Sequence, residues 1–278
     1  MSSSPVLIAY DGRTPSALRV GDVLARTLRL DVVLATAYHY EPVASSSRQV
    51  PGEGNVQRYG RAEAIVERAA AEIKTPDVRT RTLPAEDTHR SLVDLAVEID
   101  ATAIVVGPDI QGDVTRSLGA GAPCPVVVAP EDPRLVSEAL DVVGVAYDGS
   151  VGSRYAVTAA TDLAERTGGM VRLIAVATDQ HHGRETQLAA EHALDGVEGL
   201  AHEVEIRYGE ISRELREASR NLDLLICGSH GRGRIMRGLL GSVSTELIEL
   251  PNCPVMVIPS GIRRLGGSPL GLSSGAAA

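Results

Sequence analysis

The chain begins twice. Val6-Leu-Ile-Ala-Tyr-Asp-Gly12 is answered by Val143-Gly-Val-Ala-Tyr-Asp-Gly149 at an offset of 137 residues. The offset is 139 where Leu24-Ala25 meets Leu163-Ala164, and 129 where Cys124-Pro-Val-Val-Val-Ala-Pro130 meets Cys253-Pro-Val-Met-Val-Ile-Pro259. A duplicated domain with insertions and deletions accounts for all three, so whatever one half folds into, the other must fold into as well.

Within each half, short runs rich in Val, Ile and Leu alternate with longer amphipathic ones. That is the pattern of βα units around a parallel sheet covered on both faces. Strands are expected near residues 5–11, 32–38, 77–83, 102–107 and 125–129, then near 141–147, 170–177, 202–208, 223–228 and 254–258, with helices between. Ala17, Gly21, Leu24 and Leu28, and later Ala156, Ala159 and Leu163, recur at helical spacing and should face the sheet. The expected fold class is α/β: two tandem open five-stranded parallel-sheet, Rossmann-like domains.

The linker should lie near Glu131–Glu138, where proline and charge interrupt the strand pattern. The resulting division is residues 1–135, residues 136–262 and a tail over 263–278. Glu41–Asn55 and the stretch from Gly261 to Ala278, rich in small and turn-forming residues, read as mobile loops.

Composition excludes several classes. A net charge of −9 argues against nucleic acid or an anionic membrane surface as the main partner. No apolar run approaches the roughly 18 residues needed to cross a bilayer, and Met1-Ser-Ser-Ser-Pro5 lacks a signal-peptide plan, so the expected compartment is the cytoplasm. Cys124, Cys227 and Cys253 are far apart and read as buried thiols. Lys74 is the only lysine, and it is expected to end a helix just before Thr75-Pro76. A Walker-type loop, a kinase strand lysine or a Schiff base would each need a lysine in a site.

The candidate site follows the apolar run Asp223–Cys227. Gly228-Ser-His-Gly-Arg-Gly-Arg-Ile-Met-Arg-Gly-Leu-Leu-Gly-Ser-Val-Ser244 carries five glycines, Arg232, Arg234, Arg237 and His230, and no acid lies between Asp223 and Glu246. Glycines allow close backbone approach, and a helix opening at Ser242–Ser244 would present free N–H groups to an anion. The expected ligand is a polyphosphate.

The spacing Gly228-x2-Gly231-x9-Gly241-Ser242 resembles the nucleotide-binding signature of the universal stress protein family, and the resemblance runs from about Pro5 to Ser260. It implies an adenine nucleotide as ligand, ATP with Mg²⁺, and a role in stress adaptation. By that resemblance Asp148 contacts the adenosine, with Ala146 and Tyr147 lining the pocket, and Val176 offers backbone groups to the adenine. Cys227, Gly228, Ser229, His230 and Gly231, with Arg232 beside them, and Gly241, Ser242, Val243 and Ser244 surround ribose and phosphates. A plain turn-and-cap role for Asp148-Gly149-Ser150 is compatible with this. Family dimers pair their last strands antiparallel, so the tandem halves are expected to make that contact internally, as a pseudo-dimer with Cys124 and Cys253 at opposite ends of the ribbon. Whether chains pair further stays open. The prolines flanking Val126–Ala129 and Val255–Ile258 suit sheet-edge strands. His181-His182 reads as an exposed loop pair.

The first half departs from the motif. Pro108 stands where the second half has Ser229, Ile110 where it has Gly231, and Gly119-Ala120 where it has Gly241-Ser242. Aligned on those glycines, the stretch before Cys124 is too short for a phosphate-binding helix, and Asp109, Asp113 and Arg116 leave the loop at −1 against +3. Three functions follow as alternatives: a nucleotide-sensing regulatory protein without catalysis, a slow ATP hydrolase or phosphotransfer enzyme, or an interaction module with a vestigial pocket. No paired carboxylate or aligned base accompanies the motif, which favours the first.

Overall fold

The computed structural model describes residues 4–41, 53–108, 113–195, 197, 199–229 and 240–259. The first half runs β1 (Val6–Ala9), α1 (Pro15–Leu28), β2 (Val32–His39), α2 (Glu53–Ala70), β3 (Val78–Ala85), α3 (Thr88–Glu98), β4 (Ala103–Val106), α4 (Asp113–Gly121) and β5 (Val126–Val128). The second runs β6 (Val142–Ala146), α5 (Val151–Thr167), β7 (Met170–Ala177), α6 (Gln180–Ala193), β8 (Ala201–Tyr208), α7 (Ile211–Ala218), β9 (Leu224–Gly228), α8 (Ser242–Glu249) and β10 (Val255–Ile258). All ten expected strands are present.

They form one ten-stranded sheet in the order β3-β2-β1-β4-β5-β10-β9-β6-β7-β8. Pairing is parallel within each half, and the halves meet through antiparallel β5 and β10, with Val126 opposite Val257 and Val128 opposite Val255. The expected internal pseudo-dimer contact is therefore made. Cys124 and Cys253 enter the ribbon from opposite ends, and all three thiols are free and buried. Burial pushes each of them up to about 12, so they are neutral packing groups.

The flanking prolines do not mark a free edge. β5 and β10 are central, and the outer strands are β3 and β8. Pro125 and Pro254 sit one residue before their strands, where their carbonyls accept from the N–H groups of Ile104 and Leu225 at 2.9 Å, so no ladder bond is lost. Gly21 lies against Ile8, and the α1 and α5 stripes pack onto one face of the sheet, with α3, α4, α7 and α8 on the other.

Two connections differ from expectation, and the linker carries a turn of its own. Glu53–Asn55 belong to the first turn of α2, and the Asn55 side-chain amide holds the backbone of Glu41 by donating to its carbonyl at 2.9 Å and accepting from its N–H at 3.2 Å. Residues 42–52 and 260–278, the rest of the expected loops, lie outside the described residues. Lys74 follows α2 by four residues, and its Nζ reaches Glu138 at 3.0 Å. The linker is tied down: Pro133–Leu135 form a 3₁₀ turn, Arg19 donates to the carbonyls of Pro133 and Val136, and Ser137 donates to Asp223. No helix among the described residues is long and apolar enough to cross a membrane.

Candidate functional site

Strand order reverses between β1 and β4 in the first half and between β6 and β9 in the second, and in open α/β sheets ligands sit beyond the carboxyl ends of strands at such points. A cavity of about 480 Å³ opens at the second reversal. Ala146, Tyr147 and Asp148 line it from the end of β6, Val176 from β7, Cys227 and Gly228 from β9, and Gly241, Ser242, Val243 and Ser244 from the start of α8. Ser229 does not line it. It is buried at 1% exposure, its N–H donates to Ile258 O and its carbonyl accepts from Gly241 N, both at 2.9 Å, so it ties the two ends of the loop together. His230, Gly231 and Arg232, with Arg234 and Arg237, lie outside the described residues.

Local chemistry explains each position. After Asp148 the chain must turn sharply, and Gly149 takes φ +75°, as Gly12 takes +86° after Asp11. The Asp148 carboxylate accepts from Ser150 N at 2.9 Å, and the Ser150 hydroxyl accepts from Ser153 N at 3.1 Å as the cap of α5. Asp148 therefore serves the turn and lines the cavity at once. Tyr147 is fixed by donating its hydroxyl to Ala189 O at 3.0 Å.

Among the described residues no side chain caps the start of α8. Its cap residue is Gly241, which has no side chain to donate oxygen, whereas α5, α6 and α7 are capped by Ser150, Asp179 and Glu210. The N–H groups of a first helical turn have no intrahelical acceptor and carry the positive end of the helix dipole. The residues of that first turn in α8, Ser242, Val243 and Ser244, line the cavity. The Ser244 hydroxyl donates back to Gly228 O at 2.9 Å, which locks the helix start onto the end of β9.

Gly228 is required by packing. A Cβ there would lie 2.9 Å from Cα and C of Gly152, backbone atoms in the first turn of α5. Gly228→Val should therefore push α5, and Ser150 with it, away from the cavity. The expected destabilisation is about 1–3 kcal/mol, read as a lower midpoint in urea denaturation; an unchanged midpoint would show that the α5 start yields freely.

Sequence reasoning missed the far side of the cavity. Ile174, His182, Thr186, Ile211 and Leu215 also line it. His181 and His182 stand in the first turn of α6, where the Asp179 side chain accepts from both of their N–H groups at 2.9 Å. These backbone bonds, the one from His182 first, hold the Asp179 carboxyl below its ordinary value. His182 thus faces the cavity from a capped helix, and only the Asp179 cap before it was a usable signal.

The first half corrects the glycine-based alignment. A helix, α4, is present: it spans Asp113–Gly121, Gly119 lies inside it, and it starts eleven residues before Cys124 as α8 starts eleven before Cys253. Thr115 repeats the lock of Ser244, donating to Gly107 O at 3.4 Å. The deletion therefore falls in the loop between strand and helix, and Asp113 occupies the place of Ser242. A smaller crevice of about 280 Å³ lies at this reversal point.

Comparison with known proteins follows the same division. The model described as the Universal stress protein family matches residues 140–259. Universal stress protein Rv2005c of Mycobacterium tuberculosis is 31% identical over 169 residues, 52% of this chain and 55% of that protein, so the match spans about half the relative's length. The solved universal stress protein of Archaeoglobus fulgidus aligns over 92% of this chain and 97% of its own, with a TM-score of 0.73 at 21% identity, which shows the fold. Universal stress protein Rv2623 of Mycobacterium tuberculosis is 30% identical over 295 residues, covering 92% of this chain and 96% of that protein. With both halves aligned to such a relative, the chain belongs to the universal stress protein family.

Proposed function

We propose that the second half binds ATP and that the chain works as a nucleotide-sensing regulatory protein in stress adaptation. The observation that carries this reading is the start of α8, which no side chain among the described residues caps, lining a cavity of about 480 Å³ whose far side carries Ile174, Val176, Ile211 and Leu215 beside His182 and Thr186. A ligand with an anionic end and an apolar face suits this lining. Ile174, Val176 and Ile211 would take the base, Asp148 would accept from ribose hydroxyls, and the N–H groups of Ser242–Ser244 would hold phosphate oxygens. Arg232 and His230, outside the described residues, would add positive charge, and Mg²⁺ would neutralise the remaining phosphate charge when bound.

Sensing rather than turnover fits the residues present. Asp148 is engaged by the turn, Cys227 is a neutral thiol, and the Ser244 hydroxyl is committed to Gly228 O. None is a base aligned for water attack. Calorimetric titration of the full chain is expected to give one ATP per chain, strongly weakened by Asp148→Ala and untouched by Asp11→Ala. Phosphate release with Mg²⁺ should stay under about one event per minute, against the roughly 10 s⁻¹ typical of enzymes. Absence of ATP binding would remove the proposal; faster release abolished by His230→Ala would replace sensing with hydrolysis.

A further inference from the structure

The outer strands of the sheet, β3 and β8, occupy equivalent places in the two halves. Arg79 and Arg81 of β3 lie beside Val33 and Ala35 of β2, and Glu203 and Glu205 of β8 lie beside Arg172 and Ile174 of β7. Ala35 and Ile174 are matching positions, since their carbonyls accept from Tyr10 N and Tyr147 N. Arg79 therefore matches Glu203, and Arg81 matches Glu205. Identical edges would pair with like or unlike edge alike; these two differ in sign at both positions.

Side chains and backbone are both set for an unlike pair. Val33, Ala35 and Ile174 pack on the face that carries α3, α4, α7 and α8, so all four charges stand on that one face. Asp77 O and Ala85 O accept from Val32 N and Tyr40 N of the β2 segment. The odd-numbered residues of β3 thus bond inward, and Val78, Thr80 and Thr82 turn their backbone N–H and C=O groups outward. In β7 the even-numbered Met170 and Ile174 bond toward β6, which leaves Val171, Leu173 and Ala175 for β8. With Val171 opposite His202, the outward residues of β8 are His202, Val204 and Ile206.

Because β5 and β10 are antiparallel, a copy shifted along the sheet brings its β3 antiparallel to the first copy's β8. Placing Thr80 opposite Val204 joins outward groups to outward groups. The same register sets Arg79 opposite Glu205 and Arg81 opposite Glu203, in the closely spaced positions between hydrogen-bonded pairs. Pro84, an outward residue with no N–H, falls opposite Leu200, before β8 begins. Like edges are rejected: two β3 strands set Arg79 against Arg81, and two β8 strands set Glu203 against Glu205. Arg79 and Arg81 are exposed and, among the described residues, in no ion pair. Glu203 and Glu205 each give one oxygen to Arg172 and Arg207 and keep a second.

We propose that the β8 edge docks the β3 edge of a second copy of this chain, so that the sheet continues from molecule to molecule as an open head-to-tail array. This docking is independent of nucleotide binding.

Sedimentation velocity of the full chain at rising concentration and low salt tests it. The mean mass should climb past that of a dimer without levelling, because each unlike pair leaves one edge of each kind exposed, and high salt should weaken association about tenfold or more. Arg79→Glu with Arg81→Glu, and separately Glu203→Arg with Glu205→Arg, should each stay monomeric, the first with two acidic edges and the second with two basic ones. Mixing the two variants should restore association, which also reports that both are folded. If the second variant fails to fold, the first decides alone: added to the parent chain it should cap arrays through its intact β8 edge and lower their mean mass. Thr80→Pro removes an outward N–H and no bond to β2, so it should abolish association with a urea midpoint close to the parent's. A parent chain that stays monomeric or stops at a dimer overturns the proposal. So does association that survives reversal of Arg79 and Arg81, or that two folded reversed variants fail to restore on mixing.

Discussion

Ser242→Glu is expected to lower ATP affinity about a hundredfold while leaving the fold at least as stable. Ser242 opens α8 behind a glycine cap, and among the described residues no side chain provides an acceptor for the first-turn N–H groups. A carboxylate introduced there becomes that acceptor and favours the helix by about 0.3–1 kcal/mol through the dipole. The same charge then confronts the nucleotide phosphates. Like charges in contact cost several kcal/mol, and a hundredfold loss needs about 2.7 kcal/mol. The variant therefore separates the two roles of the helix start: thermal denaturation should show an unchanged or higher midpoint, and calorimetry a weakened site. Undiminished ATP binding in a normally folded variant would mean that α8 does not hold the phosphates. The first half carries the natural counterpart in Asp113, and the same reasoning predicts no ATP there.

Much of this was legible in the sequence because apolar runs and Asp-Gly turns are local signals. Every strand falls within about two residues of its Val/Ile/Leu run, and the repeated Asp-Gly pairs mark the turns where Asp11 and Asp148 line their cavities. The strand order was not legible locally. It depends on which runs pair, and the prolines beside β5 and β10 suggested an edge, since sequence does not show that the strands end before the rings begin. α4 was misplaced because glycines were used as the ruler. Glycine spacing changes freely when a loop is shortened, while the distance from helix start to cysteine is set by packing against the sheet and is the same in both halves. His182 and Ile211 carry no motif; they reach the cavity because the α6 and α7 crossovers begin at its rim. Ser229 illustrates the reverse. It lies inside a recognisable motif, yet its backbone closes the loop from beneath and its side chain does not line the cavity.

Asp22→Ala should be the most damaging change far from either cavity, with an expected cost of about 3 kcal/mol. Asp22 is an acid on the buried side of α1, at 5% exposure, where no periodic pattern calls for one. One carboxylate oxygen accepts from Lys74 N at 3.0 Å, Thr75 N at 2.8 Å and the Thr75 hydroxyl at 2.8 Å; the other accepts from Arg26 Nε at 3.1 Å. It replaces water for the turn between α2 and β3, and Thr75 is itself buried at 6% exposure. Alanine would strip acceptors from these donors, each worth about 1–3 kcal/mol when buried and unmatched. The loss should spread to the linker. Arg26 also approaches Glu138 at 3.8 Å, beside Lys74 at 3.0 Å and Arg19 at 3.1 Å. The Lys74 hydrogen bond holds the Glu138 carboxyl below its ordinary value, so the linker's ion pairs persist as pH falls toward the usual carboxylate range and are lost below it. Being exposed, those pairs add little stability, and the buried half of the network carries the effect. Asp22→Asn keeps one oxygen for Lys74 and Thr75 and loses only the charge toward Arg26, so it should cost clearly less than alanine. Urea denaturation of the three proteins checks the order. Equal losses for Asn and Ala would assign the effect to charge, and no loss for either would show that water serves the turn as well as Asp22 does.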